Sequence, residues 1–111
     1  MTAPAPTAPE IHSGPVLDLH AAVHQLLPET GSVEVQRDTP GREHLEHEHP
    51  TPETLLIVDG EISFWWRDAG GQRRTGSARP GDRLLLPAGT RHGSTAGPEG
   101  CVYVIALRYV A

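Results

Sequence analysis

The sequence has a single cysteine, Cys101. No disulfide can form within the chain, and this usage points weakly to the cytoplasm. No apolar run is long enough to span a bilayer. The N-terminus lacks the basic segment and apolar block of a secretory signal. Positive charge is also scarce: Lys and Arg total 9 against 14 Asp and Glu, a net charge of −5 with neutral histidines. That balance argues against nucleic acid and anionic membranes as main partners. Long helices are disfavoured as well, because Gly and Pro are abundant, at 12 and 11, and favour turns between short strands.

What is present is one domain's worth of chain, 111 residues, and an unusual 7 histidines. Residues 1–14 are rich in Ala, Pro and Thr and read as a mobile tail with a solvated His12. Residues 15–111 form the expected folded domain. Val16 to Leu27 is open between two readings: a helical stripe, with Asp18 as a possible N-cap and Pro28 as a stop, or in part an edge strand. His20 and His24 lie four apart on it, but no acidic third ligand sits at helical spacing, so they read as an exposed pair. Gly31 to Arg37 alternates as a strand, with Val33 and Val35 expected inward.

The stretch from Gly41 to Gly60 holds the chemistry. His47 and His49 are two apart, so on a strand they share a face, and Glu53 keeps their parity if the strand resumes in register. His44 has the opposite parity and reads as a bystander. Asp59-Gly60 reads as a two-residue hairpin turn, which pairs Ile57 with Ile62, Leu55 with Phe64 and Glu53 with Trp66. On that register Leu55, Ile57, Ile62, Phe64 and Trp66 face inward with Glu53, while Trp65 faces out, toward a subunit interface or the N-terminal segment.

Downstream, Gln72 to Ala78 is a short polar strand and Leu84 to Leu86 a buried one. Pro87-Ala88-Gly89 bends the chain toward His92, which offers a fourth ligand. Ser94 to Gly100 is expected as a loop, and Cys101 to Val110 as a closing strand in which Cys101 is a small core residue. Seven or eight short strands with at most one helix make an all-β sandwich or barrel around the His/Glu cluster.

These motifs are similar to those of the small single-domain cupins. The first motif of that family, G-x5-H-x-H-x3-E-x6-G, is met by Gly41, His47, His49, Glu53 and Gly60. The second, G-x5-P-x-G-x2-H-x3-N, is met by Gly81, Pro87, Gly89 and His92, with Ala96 in place of the final Asn. The resemblance implies a jelly-roll barrel (a double-stranded β-helix) that holds a metal through His47, His49, Glu53 and His92. Three imidazoles and a carboxylate suit one divalent transition ion, Fe, Mn, Ni, Cu, Co or Zn, better than Ca or Mg. Glu53 could serve as a base as well as a ligand.

The function expected is a metal-dependent enzyme acting on a small organic molecule, by dioxygenase-like oxidation or cleavage or by isomerase or lyase chemistry. Leu55, Ile57, Ile62, Phe64, Trp66 and Leu86 would shape its pocket. The alternative is a non-catalytic cupin that binds metal or a small molecule and regulates a partner, for which residues 86–104 bear a loose likeness to the cupin domain of zinc-binding anti-sigma factors. A homodimer formed through sheet edges is expected from the family.

Overall fold

The computed structural model describes residues 5–111. Seven strands and one helix follow in order: β1 (Glu10–His12), α1 (Leu19–Leu26), β2 (Glu34–Asp38), β3 (Glu43–His47), β4 (Glu53–Arg67), β5 (Arg73–Ala78), β6 (Arg83–Leu86) and β7 (His92–Ala106). All strand pairs are antiparallel. The fold is all-β with one short helix, as the turn-rich composition predicts.

Two 15-residue strands organise it. The first half of β4 lies between β6 and the second half of β7, with β1 and β2 outside them. The second half of β4 lies between β5 and the first half of β7, with β3 beyond. Because β4 and β7 run through both arrangements, the sheet folds over on itself and encloses a cavity.

The fold line falls where the hairpin was expected. Asp59-Gly60 does not reverse the chain: β4 continues, with register shifts between Ile57 and Asp59 and between Gly60 and Ile62. A bulge of this kind bends a strand and resets its parity. Gly60 has φ 71°, and a Cβ there would stand 2.0 Å from the Gly100 carbonyl oxygen. The glycine thus serves a close backbone crossing rather than a tight turn. The parity reset keeps Glu53, Leu55, Ile62 and Phe64 on one face, four of the six residues the hairpin would have put there. The loop expected at residues 94–100 is likewise strand, because β3 and β4 both pair with this part of β7.

Two further expectations change. Residues 10–12, assigned to the mobile tail, pair with β6 as an edge strand, while His12 is exposed beside Glu10. In β2 the parity is inverted. Val35 is 49% exposed and Val33 packs on the helix side, whereas Glu34 and Gln36 line the cavity. The polar parity wins because Asp38, next on that face, finds partners inside.

The helix starts at Asp18, whose carboxylate accepts from the Ala21 amide at 2.8 Å. It buries Ala22 and Leu26 against Leu56, Val104 and Ala106, roughly 2 kcal/mol for the leucine alone. His20 and His24 face solvent.

Candidate metal centre

Three chain segments bring the histidines together. His47 ends β3 and stands opposite His92, which begins β7. His49 follows in the loop, whose carbonyl accepts from the Gly89 amide at 2.8 Å, tying the two ligand-bearing loops. The ring centroids of His47 and His92 are 4.3 Å apart, those of His47 and His49 4.8 Å, and those of His49 and His92 5.4 Å. One ring nitrogen from each lies within 4.8 Å of the others.

The tautomers suit ligation. His47 Nδ1 lies 2.6 Å from the Leu45 carbonyl and His92 Nδ1 lies 2.7 Å from the Thr90 carbonyl. A carbonyl only accepts, so both Nδ1 atoms donate, and Nε2 is the atom of each ring that is left to bind a metal. Burial pushes His92 below the ordinary histidine value, against the hydrogen bond to Thr90, and so favours the neutral form that binds metals. The cluster is therefore compatible with a metal ion.

Glu53 opens β4 and is buried. It lies beside the cluster, with Oε1 3.5 Å from His49 Nε2. Burial pushes its carboxyl up, while His49 and His47 pull it back. Outside, Glu46 clamps the ligand strands by pairing with both Arg67 and Arg91, next to His47 and His92 in sequence. Those hydrogen bonds, Arg91 first, hold Glu46 below the usual carboxylate range.

The cavity measures about 210 Å³. Of the residues expected to line it, Leu55, Ile62, Phe64 and Leu86 do. Ile57 does not: it is sealed among Ala78, Cys101 and Tyr103. Trp66 does not either. It stands opposite His92 but stacks on Phe64 at 5.1 Å, half-buried behind it. Trp65 packs over Gly93 and under the Arg73 guanidinium, 4.0 Å from the ring centroid.

Residues that sequence parity missed also line the cavity: Glu34, Gln36, His44, Ser94 and Tyr103. His44 was set aside as a bystander on a continuous strand. A register shift between His44 and His47 puts both inside. The signal available was the run Glu34, Gln36, Asp38, polar at every second position.

The fold matches that of known proteins. No family model matches the chain. An acireductone dioxygenase from Leishmania braziliensis is 33% identical over 63 residues, which are 57% of this chain and 18% of that protein. Among solved structures, variants of Bacillus subtilis oxalate decarboxylase superpose with a TM-score of 0.62 at 23% identity, over 66% of this chain and 19% of theirs. Another structure of that enzyme, with the same score, is described by its Mn(II) centres. The chain thus spans about a fifth of the length of the relatives it matches. The domain has the cupin fold.

Proposed function

We propose that this domain is a metal-dependent enzyme acting on a small organic molecule in the cavity, with His47, His49, His92 and Glu53 as the metal ligands. The observation that carries the proposal is the pair of preset tautomers. Both Nδ1–H groups are spent on carbonyls, which leaves the two Nε2 atoms free beside a third imidazole. A closed structural staple needs no adjoining cavity, whereas these residues border one. A transition-metal ion held there supplies Lewis acidity and, if redox-active, a path to dioxygen. Leu55, Phe64, Leu84 and Leu86 keep the floor apolar and strengthen every electrostatic contact made above it. Glu53, beside His49 and pushed up by burial, is placed to hold a proton or, ionised, to complete the ligand set.

The name of the Leishmania relative adds weight to oxygen-dependent chemistry. The test is dioxygen consumption by Fe(II)-loaded protein over a panel of small enediols, thiols and phenols. Substrate-dependent uptake that disappears in His47→Ala supports oxygenation. Turnover unchanged under strict anaerobiosis would assign the site to isomerase or lyase chemistry instead. No turnover on any substrate, with a partner protein retained, would favour a sensing module.

A further inference from the structure

Behind the cavity wall formed by Gln36, His44 and Tyr103 sits a second polar group. Asp38 is 1% exposed, and three donors surround its carboxylate. His44 Nε2 lies 3.0 Å from both oxygens, Gln36 Nε2 donates to Oδ1 at 3.1 Å, and the Tyr103 hydroxyl donates to Oδ2 at 3.0 Å. Burial alone would raise Asp38, but these hydrogen bonds outweigh it and hold the carboxyl below its ordinary value. Asp38 is thus an ionised group that only accepts.

Each neighbour spends one donor on Asp38. Gln36 keeps its Oε1 acceptor and a second N–H, and Tyr103 keeps the lone pairs of its oxygen. All three residues line the cavity. Gln36 Oε1 has no hydrogen-bond partner among the described residues, and no buried side-chain nitrogen or oxygen there lacks one. That acceptor is therefore not sealed in protein.

Glu34, on the same face two residues before Gln36, adds a carboxylate at the mouth. No arginine lines the cavity and the sequence contains no lysine. The acceptor wall lies close to the metal centre. His44 stands opposite Ser94 and His47 opposite His92, so one inward-facing step along β7, roughly 6–7 Å, separates them.

We propose that the site takes a small molecule with two ends, a metal-chelating group at His47, His49 and His92 and a protonated amine at the wall formed by Gln36, His44, Tyr103 and Glu34. The inference rests on the metal-centre reading above and adds a substrate class. A dicarboxylate or a phosphate ester would meet the Glu34 carboxylate at its far end, with no lysine or arginine there to pair with.

The test uses Co(II)-loaded protein and three chelators with the same head, titrated by calorimetry near neutral pH: β-alanine hydroxamate, butyrohydroxamate and succinic acid monohydroxamate. The amine-tailed probe is expected to bind at least about tenfold tighter than the carboxylate-tailed one, with the alkyl probe between them. Asp38→Asn and, for a variant at an exposed position, Glu34→Gln should narrow that gap while leaving butyrohydroxamate affinity in place. Equal affinities, or a preference for the carboxylate tail, would overturn the amine subsite and leave the metal centre standing. If none of the three binds, the metal-centre reading fails and this inference falls with it.

Discussion

The residues that matter most have their protons fixed by oxygens that can only accept. The Leu45 and Thr90 carbonyls do this for His47 and His92, and the Asp38 carboxylate does it for His44, Gln36 and Tyr103. Tyr103→Phe removes one hydrogen bond to a buried anion and should cost roughly 1.5–3 kcal/mol in urea unfolding. The pH dependence follows from the lowered value of Asp38. Its contribution to stability is fully present above the ordinary value of 3.8 and is lost as pH falls through the lower folded value. Unfolding curves of the wild type and Asp38→Asn should therefore converge only below about pH 4; a constant difference at every pH would contradict this role. Cys101 gives a second residue-level prediction. Burial pushes its thiol up to about 12, so it should resist a disulfide reagent in the native state and react fully once the chain is unfolded.

At the level of elements, two long bent strands replace three short ones and a loop. The histidine cluster was legible because H-x-H and His92 carry chemistry at fixed spacing, although His49 lies in the loop after β3 and not on the strand that parity assumed. The helix was legible from Asp18, its apolar stripe and Pro28. The bends were not, since Asp59-Gly60 has the same local signature as a hairpin turn, and what decides between them is the Gly100 backbone 40 residues away in sequence. The same limit hid His44 and inverted β2, because a register shift and a buried carboxylate outrank local alternation. Gly60→Ala tests the bend. Positive φ plus a Cβ 2.0 Å from a carbonyl oxygen should destabilise by about 3 kcal/mol or more. Gly71→Ala, with positive φ but open space around its Cβ, should cost only about 1 kcal/mol. Equal costs at the two sites would show that the close crossing is not what selects Gly60.

Over the whole molecule, folding the sheet joins segments that are distant in sequence. Residues 47–53 and residue 92 meet only when β3, β4 and β7 are paired, so the candidate metal site exists in the native state alone. Binding there is linked to folding. Metal at about a hundredfold excess over its dissociation constant should add roughly 2.7 kcal/mol, a rise in melting temperature on the order of 10 °C for a domain of this size. The central claim is that His47, His49 and His92 hold a transition-metal ion. The most direct measurement is metal content of protein purified without chelator or a metal-binding tag, beside His92→Ala prepared in the same way. Near-stoichiometric iron, manganese, nickel, copper, cobalt or zinc in the wild type, lost in a variant that keeps its β-rich circular dichroism, is the predicted result. Equal metal in both proteins, or none in either even after loading with each ion, would contradict it.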